Sequence, residues 1–210
     1  MNVVIFGASG RTGHHLVNQA LQQGHRVTAF VRDSLKLSTH HEKLKVMQGN
    51  VSDYLKTEEA VNGQDAVLSA LGANHPFKFD QALVNGMGNI IKAMDSTGVK
   101  RLIYLSALAA KDSRKDGGFV MKYIAPKILR TELAGHDVRE KMIRDSRLNW
   151  TIVQAPMLTN GPLKKEYKSG EDLKTNAFIV TMSRADVADF MLNQLTNDRY
   201  LRKTARLLPS

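Results

Sequence analysis

Three evenly spaced glycines, Gly7, Gly10 and Gly13 in GASGRTG, constrain this chain more than any other feature. Ahead of them stands Val3-Val4-Ile5-Phe6, a β-branched apolar run that reads as a strand buried on both faces. Behind them a helical pattern begins at about Arg11. Strand, glycine turn and helix, in that order, are the context that a phosphate-binding turn requires. Gly7 lets the chain turn sharply off the strand. Gly10 carries no side chain to hold a pyrophosphate off the backbone, and Gly13 lets the helix pack closely on the sheet. The open N–H groups and positive dipole end of that helix then face an anion, and Ser9, Arg11 and Thr12 add side-chain donors. The plain alternative is the same strand-turn-helix without a ligand.

The rest of the chain alternates strands with helices. The first helix is predicted over Arg11 to Gln23, with Leu16, Val17, Ala20 and Leu21 inward and Gly24 as terminator. A strand from Arg26 to Val31 ends at Arg32-Asp33, about 20 residues beyond the glycines, where an adenosine ribose would lie. An acid there favours NAD and a base favours the 2′-phosphate of NADP. Arg32 stands at the tip with Arg11 and Lys36 in reach, so NADP(H) is the expected cofactor; the alternative makes Asp33 the ribose acid. Further strands are expected at Leu44–Gln48, Asp65–Ala70, Lys100–Leu105 and Trp150–Gln154, with a short one over Ala177–Met182 and a last one over Ala205–Leu208. Helices are expected at Asp80–Thr97, Phe119–Leu129, Thr131–Ser146 and Arg184–Leu195. Asn50 and Val51 would flank the adenine, and Leu71-Gly72 would let the backbone approach the middle of a dinucleotide. The pattern predicts an α/β fold, a doubly wound Rossmann-type parallel sheet with helices on both faces. One domain over residues 1–210 is expected, with residues 155–182 forming a substrate-side lobe and 159–176 covering the substrate. Loops at 73–79, which holds His75 and Pro76, and at 107–118 would border the same pocket.

Lysine and arginine number 30 against 20 acids, a net charge of +10. The cations are scattered over helix faces with no aromatic ladder between them, which argues against nucleic acid and for attraction of phosphorylated small molecules. No apolar run approaches the ~18 residues of a membrane span. No signal sequence is recognised, and the absence of cysteine fits a cytoplasmic protein. The core looks self-sufficient, which favours a monomer over a dimer.

With these residues placed, the chain resembles the atypical short-chain dehydrogenase/reductases, and among them the biliverdin-IXβ reductase/flavin reductase group of NAD(P)H-binding, NmrA-like proteins. GASGRTG at 7–13, VRDS at 31–34, GNV at 49–51, NGQDAV at 62–67, Leu71-Gly72, Ser106-Ala107, RDSRLNWTIV at 144–153, and Pro156 with Gly161-Pro162 carry the likeness, which runs nearly the whole length. It implies that Gly7, Ser9, Gly10, Arg11, Thr12 and Gly13 hold the pyrophosphate and that Arg32 and Lys36 hold the 2′-phosphate. Asn50 and Val51 would take the adenine; the family usually carries Asp where this chain has Asn50. Leu71 and Gly72 would touch the riboses, Ser106 would lie near the nicotinamide, and Pro156-Met157 would line its other side. His136 matches a histidine of the flavin reductases and is the candidate proton donor, with Ser106 orienting the substrate; the bland readings are a helix-surface histidine and a strand-end serine bonded to backbone. No metal site is expected.

The larger superfamily protonates a carbonyl oxygen through a Tyr-x-x-x-Lys pair. Here those positions hold Glu132 and His136. Tyr123 and Lys127 have the spacing, but they come too early and Pro126 interrupts them. A flavin or a linear tetrapyrrole spreads the incoming negative charge and needs no such acid, so the expected activity is NADPH-dependent hydride transfer to a flavin-like or other planar conjugated acceptor. The competing readings are a non-catalytic NADP(H)-binding redox sensor and, more remotely, a nucleotide-sugar epimerase or dehydratase.

Overall fold

The computed structural model of this chain describes residues 1–73, 79–108, 110, 119–124 and 130–210. The expectations for His75, Pro76, Pro126, Lys127 and most of the 107–118 loop lie outside the described residues.

The chain opens with β1 (Asn2–Phe6), α1 (Arg11–Gln22), β2 (Arg26–Val31) and β3 (Leu44–Gln48). It continues through α2 (Tyr54–Val61), β4 (Ala66–Ser69), α3 (Gln81–Thr97) and β5 (Arg101–Ala107). After a π-helical turn at Val120–Ile124 come α4 (Arg130–Asp145), β6 (Asn149–Ala155), β7 (Met157–Thr159) and β8 (Tyr167–Gly170). The described chain closes with β9 (Thr181–Ser183), α5 (Arg184–Asn193) and β10 (Lys203–Pro209).

Eight strands form one sheet in the order β3-β2-β1-β4-β5-β6-β10-β8. Every pairing is parallel except β10 with β8. The first six strands follow the doubly wound Rossmann order, and the winding reverses between β1 and β4. Strands covered on both faces must be apolar on both, and β1 is: Val3 and Ile5 join the layer under α1 and α5, while Val4 and Phe6 join the layer under α2, α3 and α4. The stripe Leu16, Val17, Ala20 and Leu21 of α1 is buried as its spacing predicts.

Two expectations change. Part of 159–176 is built into the sheet, because Tyr167–Gly170 pairs antiparallel with β10. Its tyrosine is held there by α5, where the Tyr167 hydroxyl donates to the Asp189 carboxylate at 2.6 Å. The short strand expected over 177–182 is only Thr181–Ser183, and it pairs with β7 outside the main sheet. The chain just before it is bonded elsewhere: the Phe119 and Val120 amides donate to the Ala177 and Phe178 carbonyls, at 3.1 Å each.

Candidate functional site

At the switch point the chain leaves β1 through Gly7, whose φ of +81° is a left-handed conformation that favours glycine. Gly13 is required by proximity, since a Cβ there would stand 2.1 Å from the Gly7 carbonyl oxygen. The α1 helix therefore starts directly against the turn. Its N-cap is Gly10, in extended conformation and without a side-chain bond to the first-turn N–H groups. Those donors need a partner, and an anion supplies one.

The turn opens on a cleft of about 300 Å³ beyond the carboxyl ends of β1, β2 and β4. Gly7, Ser9 and Gly10 form its floor, Arg32 and Lys36 one flank, Asn50 and Val51 another, and Leu71 and Gly72 a third. Thus nine of the expected cofactor residues meet on one surface. Thr12 and Gly13 are buried beneath the turn, Arg11 is exposed at the helix start, and Pro156 and Met157 stand apart beyond β6. Sequence reading missed Phe30, Ala70, Asp80 and Leu83, which also line the cleft. The Asp80 carboxylate caps α3 by accepting from the Leu83 amide at 3.2 Å. Val51 is anchored from behind, its carbonyl accepting from Asn89 Nδ2 at 2.9 Å.

Asp33, the residue of the alternative reading, is engaged locally. It lies off the cleft wall, its carboxylate accepts from the Leu35 amide at 3.1 Å, and it pairs with Lys36 Nζ at 4.0 Å. Arg184 is a further cation that sequence reading missed. It opens α5, and burial together with the charge of Arg11 lowers its pKa. Its Nη1 donates to Asn160 Oδ1 at 2.7 Å. Burial, His14 and Arg184 hold His15 below the ordinary histidine range. Repelling cations at the start of α1 favour an anion between them. The glycine turn, the uncapped helix and these cations together fit a pyrophosphate-bearing dinucleotide.

Ser106 and His136 are brought together, but inside the protein. Ser106 faces α4 from the end of β5, opposite Gln154 of β6. Its hydroxyl donates to Glu140 Oε1, and its oxygen lies 3.2 Å from His136 Nδ1. The Tyr104 hydroxyl lies 2.9 Å from the same nitrogen and accepts from Arg139 Nε at 2.8 Å. Glu140 also accepts from Gln154 Nε2 at 3.1 Å and from Arg144 Nη2 at 2.7 Å. With the Ser106 proton on Glu140, a neutral imidazole satisfies one of its two near contacts: Nδ1 accepts from the Tyr104 hydroxyl when the ring hydrogen is on Nε2, or donates toward the Ser106 oxygen when it is on Nδ1. Burial, with the Arg139 charge beside it, pushes His136 down to about 3. Burial raises the Tyr104 phenol to about 12 against the opposing pull of Arg139.

Both bland readings fail: His136 is 8% exposed, and Ser106 bonds to a carboxylate rather than to backbone. Burial favours the neutral ring of His136, which bears on the proton-donor role expected for it. Glu132, at the superfamily's tyrosine position, is half-buried, and burial raises its pKa. His136, Arg139 and Glu140 fall at i, i+3 and i+4 on one helix, and Gln154 interrupts the apolar run of β6; those spacings were the available signal for the network. Among the described residues no cluster of His, Asp or Glu could hold a metal, and no helix is long and apolar enough to cross a membrane.

A family described as NAD(P)H-binding matches residues 7–198. The photosystem II assembly factor Ycf39 of Synechocystis is 26% identical over 220 residues, spanning 97% of this chain and 61% of its own. The chain spans about three fifths of the length of this and another curated relative. Among solved structures, a short-chain dehydrogenase/reductase of Veillonella parvula in complex with NADP has a TM-score of 0.81 at 21% identity, covering 98% of this chain and 93% of that one. ChuY of Escherichia coli O157:H7, described as an anaerobillin reductase, has a TM-score of 0.78 at 19% identity, covering 100% of this chain and 97% of its own.

Proposed function

The chain belongs to the NAD(P)H-binding family, and from that premise we propose that it is an NADPH-dependent reductase passing hydride to a flavin or a similar planar conjugated acceptor. The observation that carries the cofactor choice is the flank of the cleft, where Arg32 and Lys36 line the wall and Asp33 is turned to its own backbone. Two cations there suit a 2′-phosphate. The Veillonella structure with NADP supports the same reading.

When bound, the nicotinamide supplies the hydride. The first turn of α1, with Arg11 and Arg184 beside it, would hold the pyrophosphate. The choice of acceptor rests on what the buried network withholds. Ser106 gives its proton to Glu140, and His136 is held neutral by burial. Neither is poised to protonate an alkoxide, so an acceptor that delocalises the charge and takes its proton from solvent suits this site. On this reading Ser106, His136 and Glu140 act as positioning residues that fix the end of β5 rather than as groups that touch the acceptor. The relative described as an anaerobillin reductase is consistent with a conjugated acceptor.

Stopped-flow oxidation of NADPH with FMN, riboflavin and biliverdin tests the proposal, and turnover with at least one is the expected result. The same lack of an acid supports a second reading, a redox sensor that binds NADP(H) without using it. Tight NADPH binding with no oxidation by any of the three acceptors would select it.

A further inference from the structure

The face of the sheet that buries Val4, Phe6, Phe30 and Met47 changes character toward its amino-terminal end. Residues two apart on a strand share a face. Thr28 and Arg26 therefore follow Phe30 down β2, and Lys45 and then Lys43 follow Met47 down β3 and the residue before it. Thr28 stands opposite Lys45 in the ladder. One step earlier the Val27 amide donates to the Lys43 carbonyl at 2.8 Å, which sets Arg26 beside Lys43. The chain leaving α2 closes over this face at Thr28, which is buried and whose hydroxyl accepts from Gln64 Nε2 at 3.3 Å. Arg26, Lys43 and Lys45 stay exposed. All three line an open hollow of about 450 Å³ that Gly63 and Gln64 also border.

Neighbouring strands lie about 5 Å apart and residues two apart on one strand about 7 Å, so three positive charges rise from one small patch and repel each other. Among the described residues none of the three side chains has a hydrogen bond or an ion pair. Glu42 is the one acid in the lining, and it pairs with none of them. A carboxylate or a single phosphate would leave cations uncompensated, whereas a di- or triphosphate matches the set in charge and reach.

We propose that this hollow is a second anion site, and that it takes the di- or triphosphate group of a small molecule. It is separate from the cofactor cleft. The hollow lies at the amino ends of β2 and β3 and the cleft beyond their carboxyl ends, so the length of β2 sets the two about 20 Å apart. The site stands whether or not the reductase reading does.

Tripolyphosphate and ADP are the probes, titrated by calorimetry at about 0.15 M salt so that diffuse attraction is screened. The titration is run on the free protein and again with saturating NADP⁺, which occupies the cleft. Binding of tripolyphosphate is expected in both. Replacing Lys43→Gln and Lys45→Gln together should weaken it about five- to twentyfold and leave NADP⁺ affinity within about twofold. Glu42→Gln removes the one opposing charge and should tighten it about twofold. Melting curves of the double variant confirm that it is folded. ADP bound as well assigns the site to nucleotide-like molecules, and tripolyphosphate alone assigns it to inorganic chains. A wild-type protein that binds neither probe overturns the proposal. So does unchanged affinity in the folded double variant, which would return the binding to the glycine turn. A single-stranded oligonucleotide that binds through these lysines where tripolyphosphate does not also overturns it, and marks the face as a nucleic-acid contact.

Discussion

At the scale of single residues, cofactor choice and pH response fall to different side chains. On the proposed function, Arg32 is the residue on which the phosphorylated cofactor would depend. Arg32→Ser is expected to weaken NADPH about ten- to a hundredfold, the worth of a charge-assisted bond, and to change NADH by less than about threefold. Equal loss for both cofactors in parallel titrations would remove Arg32 from that role. His136 governs the other response. In the unfolded chain it takes up a proton near its ordinary 6.5, while the folded protein resists protonation down to about 3. Unfolding therefore binds a proton in this window, and stability falls as the solution is acidified, by up to about 2 kcal/mol between about pH 6.5 and 5. His136→Gln should flatten that part of the melting-temperature profile; an unchanged slope would mean that the histidine is already protonated in the fold. The place of Arg32 on the cleft wall was legible because the end of the second strand sits at a fixed distance from the glycines. The histidine was legible as a position but not as a state, because its pKa depends on burial and on the Arg139 charge, both set by tertiary packing.

At the scale of elements, the glycine turn is stiff where it meets α1. Gly13→Ala forces a methyl group against the Gly7 carbonyl, at a cost of about 1–3 kcal/mol or more. A melting temperature several degrees lower, with loss of NADPH binding, is the expected outcome in thermal denaturation and calorimetry. A variant that melts and binds like the parent would show that the turn can relax. This element was readable from three letters of sequence because the steric demand is local. The cap of α5 was readable for the same reason: Ser183 and Asp186 stand three apart and exchange hydrogen bonds, 2.9 Å from the Asp186 amide to the Ser183 hydroxyl and 2.7 Å back to the carboxylate. What the sequence did not disclose is that the other oxygen of Asp186 accepts from the Lys164 and Lys165 amides, at 2.8 Å each. Those bonds help lead the chain into β8, and a polar stretch rich in lysine gives no periodicity by which to recognise an edge strand.

At the scale of the whole molecule, the +10 charge is expected to act as a field on phosphorylated small molecules. Raising the salt from about 0.1 to 1 M shortens the screening length from roughly 10 to 3 Å, and NADPH binding should weaken several-fold. Riboflavin, which is uncharged, should be nearly indifferent in the same titration. The strand order was legible up to β6 because strand and helix alternate with clear period changes; the placement of β10 and β8 depends on long-range pairing that no local pattern encodes. That long-range closure has a consequence for biosynthesis. The stripe of α1 packs in the same apolar layer as Val187, Ala188 and Met191 of α5, and Gln19 Nε2 donates to the Ala185 carbonyl at 2.9 Å. A nascent chain paused before Arg184 would carry its finished glycine turn on a helix with a bare greasy flank, so cofactor capture on the ribosome is expected to wait until α5 has emerged.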